Sequence, residues 1–307
     1  MALTLIEAAK LDSGNVIRSA IIELYAGSSD ILRVLPWQPI AGNALKYNRE
    51  SNLPGVGFRG VNEAFPSSTG VLNPVTEPLV IAGGDLDVDK FILQTMGQNQ
   101  RSMQEAMKVR SLALTFTRKF IKGDQISDPR EFDGLQSRII GNQLIPAGLT
   151  ANGTALSLSK LDEAIDQTLN PTHLLMNKTM KRRLTSAARA GLGGTMDITY
   201  DEFGRRVEVY NGLPIVTVDL DGDGVSIMPF TEAATSGTAT ATSIYVMSLG
   251  GDGLTGIENG GVDVRDLGEL QTAPLFRTRV EWYVGLAVFN GRALARVWSI
   301  ADAPVVA

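Results

Sequence analysis

The chain has no cysteine and a single histidine, His173, among its 307 residues. These absences exclude disulfides, thiolate metal sites, a thiol nucleophile and a multi-histidine metal centre, and they set no requirement for an oxidising compartment. No apolar run is long enough to cross a bilayer, and Glu7 and Lys10 interrupt the N-terminal stretch, so neither a membrane span nor a signal peptide is expected and the reading places the chain in the cytoplasm where it is made. Charge of one sign is also scarce. Lys and Arg number 28 against 33 Asp and Glu, a net charge of −5, which is not the footprint of a dedicated nucleic-acid binder. What remains, 44% hydrophobic and 20% charged, suits a folded protein of one to three domains with an ample core.

Two stretches stand out by length. Residues 89–121 read as one long helix, roughly 50 Å at 1.5 Å per residue. Ile92, Met96, Met103, Met107, Leu114 and Ile121 recur at helical steps along one side, and Asp85, Asp87 and Asp89 stand where negative charge suits the helix start. Lys119, Lys122 and Gly123 mark its end. The second stretch is 276–288, in which Phe276, Thr278, Val280, Trp282, Val284, Leu286 and Val288 alternate strictly with Arg277, Arg279, Glu281, Tyr283, Gly285 and Ala287. It is a strand with one buried face, roughly 43 Å long. Helix and strand together predict an elongated helix-on-sheet slab that joins the first and last thirds of the chain.

The remainder divides by punctuation. Residues 1–44 are a helical arm broken by Gly27, Pro36 and Pro39. Residues 45–85 alternate short strand-like runs, LKYNRES, GVGFRGVNEAF and PLVIAG, with many Gly, Pro and Ser, a long two-stranded excursion that is marginal alone in water. After the long helix come a helix near 158–169, a strand in PTHLLMNK, a helix in TMKRRLTSAARA closed by Gly191, and a hairpin turning at Asn211-Gly212. Composition makes 233–243 a surface loop, and ARVWSI is a final short strand.

The chemical motifs are weak. Gly251, Gly253 and Gly256 spell a dinucleotide fingerprint, yet no helix follows to present N–H groups to a pyrophosphate. Asp219, Asp221, Asp223 and Gly224 begin like a calcium loop, but Phe230 stands at the twelfth position, so an acidic hairpin turn is expected and no metal is assigned. His173 has no nucleophile elbow to partner, and Lys181, Arg182 and Arg183 read as a solvated helical turn. No catalytic residue, cofactor or metal is expected.

Arm, excursion, long helix, compact α/β region and late long strand, with EFDGLQSRI, THLLMNKTMKRRL, GLPIVTVD and VEWYVGLAVFNGRALARVWSI, resemble in that order the major capsid proteins of tailed bacteriophages, whose α+β fold is the Hong Kong 97 type. The resemblance implies an arm at 1–44, an extended loop at 45–85, a peripheral domain at 86–155 with a long spine helix, an axial α/β domain at 156–261, long peripheral strands at 262–291 and a return to the axial domain at 292–307. It implies no enzyme activity, but pentamers and hexamers in an icosahedral virion shell around double-stranded DNA, assembled in the host cytoplasm. It also implies a separate scaffolding protein, a portal protein and, in some members, a cement or decoration protein. Some members crosslink a loop lysine to a neighbour's asparagine; here Lys46 is the one lysine of the loop and lies at its base, so no crosslink is expected. An encapsulin shell of the same fold, holding a cargo enzyme, is the alternative, and an enzyme using the Gly-rich loop 250–261 is a remote one. The loop is expected to clamp a neighbouring subunit. Tyr47, Leu53, Val56, Phe58, Val61 and Phe65 supply apolar side chains that otherwise face water, and Arg49, Glu50, Arg59 and Glu63 set register.

Overall fold

The computed structural model describes residues 29–96, 99–191, 196–200, 206–235, 237 and 239–306. Most of the arm, 1–28, lies outside these. From Ser29 the chain forms a short helix α1 (Asp30–Val34) and strand β1 (Trp37–Pro39), then a ribbon of β2 (Ala44–Asn52) and β3 (Val71–Pro78). Strand β4 (Val80–Asp89) leads into helices α2 (Lys90–Met96) and α3 (Asn99–Lys122). The long late strands are β12 (Leu254–Glu269) and β13 (Leu275–Val288), and they build a four-stranded sheet in the order β1-β12-β13-β4. Residues 80–85, read from sequence as part of the excursion, are therefore body and not loop.

Strand β13 buries the face its alternation predicts: Thr278, Val280, Trp282, Val284 and Leu286 are all buried. Its register with β4 sets Arg277 opposite Asp87 and Arg279 opposite Asp85. Each arginine holds its carboxylate with two N–H···O bonds of 2.7–2.9 Å, and these bonds hold both aspartates below the usual carboxylate range. Asp85 and Asp87 thus pair across the sheet and do not serve the helix start; only Asp89 does, its Oδ1 accepting from the Phe91 N–H at 2.7 Å. These pairs are exposed and fix register more than they stabilise.

The helix faces the sheet with a different side from the one expected. Val109, Leu112, Ala113, Phe116 and Phe120 are buried, at three- and four-residue steps, whereas Ile92, Met103 and Met107 are exposed and Leu114 is half-buried. Both sides of the helix carry apolar residues, and the side with the two phenylalanines removes more area from water. Of the expected stripe, Ile121 is buried, and the Met96 side chain falls outside the described residues.

At the centre Phe116 lies 5.1 Å from Trp282, 5.6 Å from Trp37 and 5.7 Å from Phe132, centroid to centroid, and Trp37 meets Trp282 at 4.9 Å. Trp282 Nε1 donates to Glu258 Oε2 at 3.0 Å, which satisfies its polar end.

A second sheet runs β5 (Leu144–Pro146), β14 (Leu294–Ile300), β11 (Ala239–Met247), β6 (His173–Asn177), β9 (Leu213–Val218), β8 (Arg206–Tyr210) and β7 (Met196–Tyr200), with β10 (Glu232–Ala233) on β11. Helices α5 (Leu158–Gln167) and α6 (Lys178–Arg189) cover one face; α4 is Leu135–Arg138. Alternation divides the strands between two cores. Leu174, Met176, Ile244 and Val246 pack with Leu161, Met180 and Leu184 under the helices, while Leu175, Tyr245 and Met247 join the aromatic core of the first sheet. The expected surface loop at 233–243 is instead largely strand, with Ala241, Thr242 and Ser243 fully buried; small polar residues mislead by composition where a central strand is crowded on both faces. Asn211 (φ 48°) and Gly212 (φ 77°) make the expected hairpin turn.

Because Phe116 contacts every wall of the aromatic cluster, Phe116→Ala should lower the unfolding free energy of the isolated subunit by about 3–5 kcal/mol. Chemical denaturation checks this; a loss under about 1 kcal/mol would show that the cluster is not the core it looks to be.

Candidate assembly surface

The ribbon divides into an anchored base and a projecting tip. Strands β2 and β3 pair antiparallel from Ala44 opposite Pro78 to Asn52 opposite Val71. At the base Arg138, from α4, grips Glu77 with two bonds of 2.6 and 2.8 Å and also donates to the Leu286 carbonyl at 3.1 Å. Both side chains are nearly nine-tenths buried, and such a pair is costly to break. The Tyr47 hydroxyl donates to the Val288 carbonyl at 2.9 Å, Arg49 Nη2 reaches the same oxygen, and the Tyr47 ring stands edge-on to Phe289 at 4.8 Å. Burial, then the nearby Glu77 charge, pushes the Tyr47 hydroxyl up. Two of the residues expected to face a neighbour, Tyr47 and Arg49, are thus engaged by their own chain. Glu50 is exposed.

Beyond Asn52 the stretch GVGFRGVNEAF forms no strand. Its side chains find no apolar cover among the described residues: Val56, Phe58 and Val61 are each more than nine-tenths exposed, and Leu53 and Phe65 mostly so. The tip nevertheless has a set shape. Arg59 lies over the Phe65 ring at 5.0 Å, Glu63 Oε2 accepts from the Gly60 N–H at 2.8 Å, and Ser68 Oγ donates to the Gly55 carbonyl at 2.8 Å. Gly57 is required where the two limbs touch, since a Cβ there would stand 2.7 Å from Pro66 Cγ. Asn62 takes the left-handed conformation (φ 68°) that turns the chain.

The other sequence candidates resolve into structure. No helix follows the Gly251–Gly256 motif; the chain enters β12. Gly253 sits where a Cβ would meet the Ser248 carbonyl at 2.2 Å, and Gly256 forms the flat floor under Trp37, where a Cβ would lie 2.6 Å from the ring. Packing accounts for both glycines. In the acidic hairpin Asp221 turns inward, accepting from the Asp223 and Val225 N–H groups and pairing with Arg118 at 3.2 Å, while Asp219 pairs with Lys178 and Asp223 is exposed. Lys181 meets Glu208 at 3.6 Å and Arg183 meets Asp302 at 2.8 Å. Among the described residues no group of acids and His could hold a metal, and no helix is long and apolar enough to cross a membrane.

The family model for the major capsid protein GP7 matches residues 12–157, just under half of the chain. Among curated proteins no sequence matches. Solved structures share the fold at low identity. The holo-SrpI encapsulin complex of Synechococcus elongatus PCC 7942 superposes with TM-score 0.66 at 18% identity, covering 100% of this chain and 99% of that one. The capsid of a native GTA particle gives 0.63 at 14%, covering 89% and 91%, and Microbacterium phage Oxtober96 gives 0.63 at 13%, covering 88% and 90%. The chain has the Hong Kong 97-type fold that these capsid and encapsulin shells share.

His173, on the first residue of β6, is pushed down to about 4 by burial, with Nδ1 3.0 Å from Thr172 Oγ1. Its folded value lies below the unfolded one of about 6.5, so the neutral ring contributes stability in full above that pH and loses it as pH falls toward 4. The loss should reach about 3 kcal/mol. Denaturation of the dissociated subunit at pH 7.5 and 4.5 measures it, and His173→Gln should flatten that part of the curve; an unchanged slope would rule out the histidine as its origin.

Proposed function

We propose that this chain is the major head protein of a tailed bacteriophage, forming the pentamers and hexamers of an icosahedral shell around double-stranded DNA. The observation that carries the reading is the match of residues 12–157 to the major capsid protein GP7 family, in a chain whose fold is shared with phage and GTA capsids. Assembly in the host cytoplasm would draw on a scaffolding protein and a portal, with a cement protein where one is used. The net charge of −5 favours dispersed, non-specific contacts with the packaged DNA. An encapsulin-type shell is the second reading, favoured by the superposition of the whole chain on one. Electron microscopy of particles purified from cells decides between them: packaged DNA supports the phage head, and a co-purified enzyme inside an empty-of-DNA shell supports the encapsulin.

Within this reading the domain plan is arm, extended loop, peripheral and axial parts as the sequence suggests, with the loop narrowed to 44–78, and the loop tip is the intersubunit clamp. Leu53, Val56, Phe58, Val61 and Phe65 supply the apolar contact, and Glu50, Arg59 and Glu63 steer it. At about 25 cal/mol per Å2, burial of a few hundred Å2 per tip contributes several kcal/mol before ordering costs, repeated at every subunit. Replacing 53–70 by a short Gly-Ser turn should leave the subunit folded, by circular dichroism and denaturation, while abolishing stable shells in the microscope. Particles of normal stability from that variant would move the clamp role to the arm.

A further inference from the structure

Asparagine is followed by glycine at Asn152-Gly153, Asn211-Gly212, Asn259-Gly260 and Asn290-Gly291. Such a pair carries a reaction of its own. The glycine nitrogen, unobstructed by a Cβ, can attack the side-chain Cγ of the asparagine before it and close a five-membered succinimide. The structure holds the pairs differently. In Asn152-Gly153 the nitrogen is already engaged, its N–H donating to the Thr150 carbonyl at 3.1 Å. In Asn259 the group that would have to leave, Nδ2, is tied to the Gly42 carbonyl at 3.0 Å. The exposed Asn211 side chain has no hydrogen bond to orient it among the described residues.

Asn290, in the turn from β13 to β14, is set up for the attack. Its Oδ1 accepts from the Arg292 N–H at 2.8 Å, which folds the side chain forward over the Gly291 amide, and its carbonyl accepts from the Ala293 N–H at 3.2 Å to close the turn. The Gly291 N–H has no hydrogen-bond partner among the described residues. A donor on Oδ1 polarises Cγ and stays in place for the oxyanion that develops there. The surroundings keep the turn in this shape, with Gln143 Nε2 donating to the Gly291 carbonyl at 2.8 Å and Arg292 Nε to the Gln167 carbonyl at 3.3 Å.

We propose that Asn290 is a site of spontaneous deamidation. The Gly291 nitrogen loses its proton to solvent hydroxide and bonds to Cγ, the Cγ–Nδ2 bond breaks, and ammonia leaves with a proton from water. Water then opens the succinimide at either carbonyl, leaving an aspartate or an isoaspartate at position 290. The new carboxylate arises beside Arg49, whose Cδ lies 4.0 Å from where a Gly291 Cβ would stand. Arg49 binds Tyr47 and the Val288 carbonyl but no carboxylate among the described residues, and its Nε is buried without a partner. Deamidation thus adds a negative charge at the base of the loop, where it meets an uncompensated cation. The site stands whether or not the shell reading does.

Peptide mapping by mass spectrometry tests it on the unsubstituted chain held folded at mildly alkaline pH, each conversion adding about 1 Da. Position 290 should convert first, and faster as pH rises, because the attacking nitrogen must be deprotonated. In denaturant, where the turn is gone, its lead over the other pairs should vanish. Gly291→Ala, whose Cβ meets only the Arg49 stem, should slow conversion at 290 about tenfold and leave the other pairs unchanged. Faster conversion at 152, 211 or 259 in the folded chain, or a lead at 290 that persists in denaturant, overturns the site; neither reading depends on how the variant folds. The pairing has its own test: Asn290→Asp should raise the denaturation midpoint with Arg49 present and not with Arg49→Gln, and an equal shift in both backgrounds overturns it.

Discussion

Phe116 is the point at which the molecule is tied together. It touches Trp37 from the arm, Trp282 from the late strand and Phe132 from the segment after the long helix, residues that span most of the sequence. None of these segments has a core of its own. Strand β1 is three residues long and pairs parallel with β12 only because Gly256 lets the Trp37 ring lie flat on the strand. The parallel pairing gives few hydrogen bonds, so the side-chain cluster does most of the holding. A helix-on-sheet slab in which each layer supplies an aromatic to one cluster resists sliding, because displacing any layer opens a void at the shared centre.

The second sheet extends the same logic in two directions. Its strands alternate between the aromatic core and the core under α5 and α6, which makes the sheet a shared wall between the two halves. On the aromatic side the wall carries a buried polar group: Arg296 donates to Glu232 Oε2 and to Ser243 Oγ at 2.9 Å each and lies 5.7 Å from the Tyr245 ring. Lys122, at the end of α3, is pushed down by burial in the same region and feels the Glu232 charge. A buried ion pair adds little net stability, but removing either member leaves a buried charge without its partner.

The sequence made some of this plain and concealed the rest for identifiable reasons. Strand β13 was legible because one of its faces is buried along its length, which forces a period of two. The long helix was legible as a helix, but not its covered side, since Met103 and Met107 repeat as regularly as Val109, Phe116 and Phe120. Asp85 and Asp87 suited a helix start by position, and only the register of β4 with β13 shows them opposite Arg279 and Arg277. The stretch 239–243 looks like a loop because burial between crowded layers selects small residues. The apolar tip could be seen in the composition of 53–65, whereas its anchor could not: Arg138 and Glu77 are 61 residues apart, and nothing local signals their bond.

That anchor changes what the loop can do. A ribbon attached only through its two strands would swing, and each docking event would have to overcome the loss of that freedom. Here the base is fixed by Arg138 to Glu77 and by Tyr47 and Arg49 to the Val288 carbonyl, at the end of the same strand that carries Trp282. The direction in which the tip projects is therefore set by the core of its own subunit. The proposed shell would need that coupling, because curvature is a sum of small angles between neighbours, and an angle is transmitted only by contacts rigid at both ends. In the proposed shell, apolar area at the tip would supply the adhesion and the buried base the angle.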